Sequence, residues 1–147
     1  MKIPLKILDH ALGMELPSYA TNGSAGLDLR AAISENITIK AGERKLIPTG
    51  LVVAIPQGYN GEIRSRSGLA YKHGIAVLNS PGTIDSDYRG EVKVLLINLG
   101  NENFTIERSM RIAQLIIQKY ETIDWNVVDS LDETNRSTGG YGSTGTK

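Results

Sequence analysis

The chain has no cysteine among its 147 residues. That excludes a disulfide framework, a thiol nucleophile and a cysteine-ligated zinc site, and it suits a reducing compartment. Net charge is missing too: 16 lysines and arginines stand against 16 aspartates and glutamates. No overall positive field draws in nucleic acid or an anionic membrane surface, so any anion site has to be built locally. Long apolar runs are absent. Met1 to Leu12 interrupts its apolar residues with Lys2, Lys6, Asp9 and His10, unlike a signal peptide, and nothing approaches the roughly 20 apolar residues that span a bilayer. The expectation is a soluble, cytoplasmic protein with neither nucleic acid nor membrane as a partner. The length is that of one domain whose core needs no covalent staples.

Short β-type runs parted by Gly, Pro, Asn and Ser fill most of the sequence. Strands are expected at Lys2–Leu8, Leu27–Ala31, Asn36–Ile39, Arg44–Pro48, Leu51–Ile55, Tyr59–Arg64, Ile75–Leu78, Glu91–Asn98, Asn103–Ile106 and Arg111–Tyr120. Many are rich in β-branched residues, which suit a half-buried pleated surface. Turn signals fall at Ala41-Gly42-Glu43, Pro56-Gln57-Gly58, Pro81-Gly82 and Gly100-Asn101. This spacing predicts a sandwich or barrel rather than βαβ units. Helix is expected only near Ser67–His73, closed by Gly74 in a left-handed C′ conformation. Arg111–Gln118 is ambiguous by pattern; its shortness and the β-type residues that follow favour strand. Residues 1–128 therefore read as a β-domain. Residues 129–147, with Leu131 as their one large aliphatic side chain, cannot bury enough apolar area to offset the entropy of ordering and read as a flexible arm.

Three segments could carry chemistry. Around Arg66-Ser67-Gly68, a guanidinium, a hydroxyl and the amides of a starting helix could converge on one anion. Strand alternation puts Arg64 and Arg66 on one face. A solvated arginine pair and a serine N-cap would explain the same residues. Asp85 and Asp87 share a face if the chain there is extended, and close like charges push one carboxyl toward use as a general base; a polar hairpin loop is the plainer alternative. In Arg136-Ser137-Thr138-Gly139-Gly140-Tyr141-Gly142-Ser143-Thr144-Gly145, glycine amides suit an anion nest, Tyr141 a stacked base and Arg136 a phosphate. Asp28 between Leu27 and Leu29, and Gln114 within an apolar strand, look by themselves like a surface carboxylate and a satisfied core amide. His10 and His73 lie too far apart in sequence to suggest a zinc pair, and receive no role.

Taken together and in order, these segments resemble the five motifs of the trimeric dUTPases. The matches are Ala25-Gly26-Leu27-Asp28-Leu29, Arg66-Ser67-Gly68-Leu69-Ala70, Gly82-Thr83-Ile84-Asp85-Ser86-Asp87-Tyr88-Arg89-Gly90, Arg111-Ile112-Ala113-Gln114-Leu115, and Arg136 through Gly145. The resemblance implies a distorted jelly-roll β-barrel with one short helix, three subunits sharing each site, and hydrolysis of dUTP to dUMP and pyrophosphate with Mg²⁺. Such an activity keeps uracil out of DNA and supplies dUMP. The resemblance makes Asp85 the carboxylate that activates water and Tyr88 the ring beneath the deoxyribose. Asn79, Thr83, Ile84 and Lys93 would surround uracil. Arg66, Ser67 and Gly68 would contact phosphate, while Asp28 and Gln114 would hold phosphate or Mg²⁺-bound water. Arg136, Tyr141, Gly142, Ser143 and Thr144 would close over the base and the γ-phosphate.

Three departures stand out: Tyr141 replaces the usual phenylalanine, Ser137 a common glycine, and Ser109-Met110 a common Gly-Asp. Two rivals share the fold. A dCTP deaminase needs a catalytic glutamate in the strand after the third motif, and Glu91-Val92-Lys93-Val94-Leu95-Leu96-Ile97-Asn98 has no acid after Glu91. A silent nucleotide-binding regulator does not need the intact Asp85, Tyr88 and arm.

Overall fold

The computed structural model describes residues 1–140. Its strands are β1 (Leu5–Ile7), β2 (Leu27–Arg30), β3 (Ile37–Ile39), β4 (Arg44–Val53), β5 (Tyr59–Arg64), β6 (Ile75–Val77), β7 (Gly82–Ile84), β8 (Val92–Asn98), β9 (Phe104–Ile106) and β10 (Arg111–Lys119). One α-helix, α1 (Ser67–His73), and a 3-10 turn at Asp9–Ala11 complete the described elements. Two four-stranded antiparallel sheets, ordered β1-β4-β8-β6 and β2-β10-β5-β7, and a ribbon of β3 and β9 form the jelly roll. Among the described residues no helix is long and apolar enough to cross a membrane.

Alternation explains why these runs become strands with one face inward. In β8, Val92, Val94, Leu96 and Asn98 are buried while Lys93 is exposed. Leu29, Ile39, Ile47, Ile75, Val94, Leu96, Ile106 and Ile112 are almost completely enclosed, each aliphatic side chain contributing about 1.5–3 kcal/mol over an exposed one. The ambiguous run is indeed a strand: β10 lies between β2 and β5, so both neighbours satisfy its backbone. Asn98, fully buried, donates to the carbonyls of Ile39 (2.9 Å) and Glu102 (2.7 Å) and accepts from Gly100 N–H (2.9 Å), so its amide is satisfied where a bare polar group would be costly.

Two expectations change. The two strands foreseen at Arg44–Pro48 and Leu51–Ile55 are one, β4, whose pairing with β8 shifts between Pro48 and Leu51. Pro48-Thr49-Gly50 forms a bulge in a continuous strand, with Gly50 at φ 68°. The Pro81-Gly82 turn signal hides β7, a three-residue strand too short to show alternation that pairs with β5. Val92, Val94, Leu96, Ile112, Leu115 and Ile116 belong to the core, while exposed apolar side chains include Ile123, Trp125, Val127, Val128 and Leu131. From Glu121 to Gly140 the chain has neither helix nor strand.

Candidate active site

The site residues within the described chain fall into two groups on the sheet that carries β2, β10, β5 and β7, with a third piece in the tail. The first is a cleft of about 280 Å³ at the β7 edge, lined by Asn79, Gly82, Thr83, Ile84, Asp85, Tyr88, Glu91 and Lys93 among others. All five residues expected around the base and sugar line this one cleft, together with Asp85. β7 turns Thr83 outward and Ile84 into the core. Gly82 is buried close beneath Asn79: a Cβ there would lie 3.1 Å from the Asn79 Nδ2.

Asp85 follows β7 and opens a turn closed by Tyr88 N–H on its carbonyl, at 3.2 Å. Asp85 and Asp87 therefore lie on a turn, not on extended chain, which removes the shared-face argument for a coupled pair. Asp85 is exposed, and among the described residues no hydrogen bond or ion pair engages its carboxylate. It also borders a second cleft, with Gln57, Asp87, Arg89 and Tyr120, so water reaches it from two sides. The Tyr88 ring lies on Gly90, where a Cβ would meet Cζ at 2.5 Å and Cε2 at 2.9 Å. Its hydroxyl donates to the Glu91 carbonyl at 3.1 Å.

The second group sits where β2, β10 and the end of β5 meet. Asp28 Oδ1 accepts from Arg66 Nε at 3.0 Å, and Oδ2 from Arg111 Nη1 at 3.1 Å. Arg66 also donates to the Arg111 carbonyl at 3.2 Å. Gln114 pairs in register with both Asp28 and Arg64 and donates to the Ser65 carbonyl at 2.9 Å. Gly26 packs against Gln114, so closely that a Cβ would come within 3.1 Å of Cδ and nearer still to Oε1. The arginines differ from expectation. β5 stops at Arg64, so alternation does not carry on to Arg66: Arg64 turns to Glu62 (2.9 Å) and Arg66 to Asp28. Arg66, not a serine, is the N-cap of α1, and no side chain caps the helix. The exposed Ser67 and Gly68 open its first turn, where helix amides lack intrahelical partners. Gly74 closes α1 as expected, at φ 69°.

No side-chain hydrogen bond or ion pair joins the two groups among the described residues. Arg136 joins neither: its Nε donates to the Gly139 carbonyl at 2.9 Å, within its own turn. Tyr141, Gly142, Ser143 and Thr144 lie outside the described residues. Among the described residues no three His, Asp or Glu side chains converge on a metal position. A lone carboxylate, Asp28, beside open amides and arginines fits Mg²⁺ that keeps its waters and is held mainly by phosphate oxygens, not a resident cage.

The class follows from the architecture. The structure of the Staphylococcus bacteriophage 80alpha dUTPase with dUPNHPP shares this jelly roll at a TM-score of 0.86, with 25% identity and 98% of each chain covered. A family model described as dUTPase matches residues 13–145. Proteins named deoxyuridine 5'-triphosphate nucleotidohydrolase are 58% identical in Rickettsia bellii, over 98% of this chain and 95% of that one, and 55% identical in Orientia tsutsugamushi, over the whole of both. The chain belongs to the dUTPase family.

Proposed function

We propose that the chain hydrolyses dUTP to dUMP and pyrophosphate. One observation carries this reading: a single cleft gathers Asn79, Thr83, Ile84, Tyr88 and Lys93 around an unengaged, exposed Asp85. Uracil fits the polar edge made by the Asn79 amide and the backbone of Thr83, Ile84 and Lys93. Cytosine would present a donor where uracil has O4, a mismatch of buried polar groups that discriminates strongly. Tyr88, braced by Gly90, lies beneath the deoxyribose and leaves no space for a 2′-hydroxyl.

Asp85 takes a proton from water, and the oxygen attacks the α-phosphorus in line with the departing pyrophosphate. Arg66, the Ser67 hydroxyl, the Gly68 amide and Gln114 receive the phosphates. Mg²⁺, bound with the triphosphate and reached by Asp28 through water, would neutralise charge on the leaving group. Arg136 with Tyr141, Gly142, Ser143 and Thr144 closes over base and γ-phosphate and excludes bulk water. Among the described residues no side-chain hydrogen bond or ion pair links the base cleft to the arginine cluster, and Trp125, Val127 and Leu131 are exposed on one chain. Both features support a homotrimer in which each site combines the base cleft of one subunit with phosphate residues and an arm from others.

The test is pyrophosphate release from dUTP, dTTP, UTP and dCTP, with and without Mg²⁺. Release from dUTP alone is expected. Ammonia from dCTP, or tight dUTP binding with no pyrophosphate, would overturn the reading.

A further inference from the structure

Glu91 is the wall between two clefts. It lines the base cleft with Tyr88 and Lys93 on one side, and a shallow cleft with His10, Ala32, Pro48 and Arg108 on the other. Its side chain is 13% exposed, and His10, the Gly50 amide and Lys93 engage its carboxylate. Oε1 accepts from His10 Nε2 at 2.8 Å and from Gly50 N–H at 2.8 Å. Oε2 faces Lys93 Nζ at 3.5 Å. The main-chain carbonyl accepts the Tyr88 hydroxyl at 3.1 Å. Burial disfavours a charged Glu91, but the His10 hydrogen bond, the Gly50 amide and the charges of His10 and Lys93 outweigh it and hold its pKa below the ordinary value.

The scaffold on the His10 side is built for this contact. The β4 bulge takes Thr49 and Gly50 out of the ladder with β8, which frees the Gly50 N–H to point at Glu91. The Thr49 hydroxyl donates to the Val92 carbonyl across the same gap. The 3-10 turn that presents His10 packs on Gly50, where a Cβ would come within 3.3 Å of Ala11 Cα, and Leu8 N–H bonds the Gly50 carbonyl at 2.8 Å. His10 does not line the base cleft itself. Its side chain's one polar contact among the described residues is Glu91, the residue whose carbonyl holds the sugar-side tyrosine.

We propose that His10 is a positioning residue for sugar selection: by holding the Glu91 carboxylate together with the bulge amide, it fixes the carbonyl that anchors Tyr88 and so sets how firmly the pocket refuses a 2′-hydroxyl. The inference rests on the reading of the base cleft as a deoxyuridine site. An ordinary surface ion pair would contribute only marginally to stability and would leave the choice between ribose and deoxyribose untouched.

The experiment compares the parent chain with His10→Ala, His10→Gln and Glu91→Gln. For each, kcat/KM is measured with dUTP and UTP, and amide exchange over residues 86–92 is followed without nucleotide. Loss of one charge-assisted hydrogen bond is expected to cut the dUTP/UTP ratio about tenfold in His10→Ala and to speed exchange in that segment by a similar factor. His10→Gln, whose amide nitrogen reaches the place of Nε2, is expected to restore most of both, and Glu91→Gln to lower the ratio and speed exchange. A ratio and an exchange rate within twofold of the parent in His10→Ala would overturn the inference while leaving dUTP hydrolysis intact. A parent chain inactive on dUTP would instead refute the proposed function, and the exchange data would still report whether His10 fixes the Tyr88 segment.

Discussion

Asp28 and Arg66 are joined across the start of the phosphate cluster at 3.0 Å, and the same carboxylate holds Arg111 at 3.1 Å. One acid thus keeps two guanidiniums side by side in the free protein. Removing its charge leaves two cations with no shared partner, and takes away the carboxylate to which the proposed function gives a Mg²⁺-bound water. Asp28→Asn is expected to cost about 1 kcal/mol of stability, a discounted figure for a partly solvated pair. It is also expected to raise several-fold the Mg²⁺ concentration that gives half-maximal activity. Urea titration and a Mg²⁺ titration of turnover check the two effects separately; no change in either would remove Asp28 from the site.

Asp85 has the opposite character. It ties no element to another, so its charge is dispensable to the fold and available to water. Asp85→Asn is expected to lower turnover by about 10²–10⁴-fold, the range for loss of a general base. The affinity for a non-hydrolysable dUTP analogue and the melting temperature should stay nearly unchanged. Near-parental turnover in this variant would assign the base to another residue.

The sequence made the β-architecture and the cast of candidate residues legible because both rest on local signals: alternation in β8, the Gly74 helix stop, and five motifs in a fixed order. What it hid was decided by partners distant along the chain. β7 is three residues long and exists as a strand because β5 pairs with it. The bulge at Gly50 reads as a break in sequence, and only the continued pairing of β4 makes it one strand. Arg66 looks like a free cation beside Arg64, yet its direction is set by Asp28, 38 positions earlier. His10 carries no motif, and its contact with Glu91, 81 residues away, leaves no periodic or spacing signal to find.

Two serines standing where glycine is common in the family adopt left-handed backbone: Ser109 at φ 65° and Ser137 at φ 42°, the only non-glycine residues with positive φ among those described. Ser109 is the third residue of a turn closed by Met110 N–H on the Glu107 carbonyl, a position that favours glycine when φ is positive. A side chain there costs about 1–2 kcal/mol, partly offset by the larger unfolded-state entropy of glycine. Ser109→Gly is expected to raise stability by about 0.5–1 kcal/mol, read as a higher melting temperature with unaltered substrate selection. A lower melting temperature would show that the Ser109 side chain makes a contribution larger than the backbone strain.

Acid should loosen the Glu91 clamp. Burial raises the Glu91 pKa, but the His10 hydrogen bond, the Gly50 amide and the neighbouring cations bring it below its ordinary 4.5. As pH falls past 4.5 the unfolded chain takes up this proton before the folded one, so stability drops with pH in that window. The contribution is fully present above 4.5 and is lost as pH passes through the lower folded value. Glu43, held down by Lys45 and the Lys40 amide, acts with the same sign. Glu91→Gln is therefore expected to melt below the parent at neutral pH and to converge with it as pH falls below the lowered folded pKa. A constant gap between the two across that range would mean that the carboxylate's charge is not what the clamp uses.

The tail tests the shared-site arrangement. Trp125, the chain's one tryptophan, is 87% exposed on a single chain, with Val127 at 92% and Leu131 at 84%. A monomer leaves so contiguous an apolar segment in water at a cost that burial on a second subunit would relieve. If three chains assemble and each tail packs on a neighbour, tryptophan emission is blue-shifted at micromolar concentration and moves red on dilution, in step with a fall from trimer to monomer mass in light scattering. Trp125→Ala should weaken assembly and lower turnover at low protein concentration while sparing it at high concentration, because a site completed by another subunit returns when mass action restores contact. Emission that stays fully red in a protein of trimer mass would place the tail in solvent, and activity independent of concentration in a confirmed monomer would mean that each chain completes its own site.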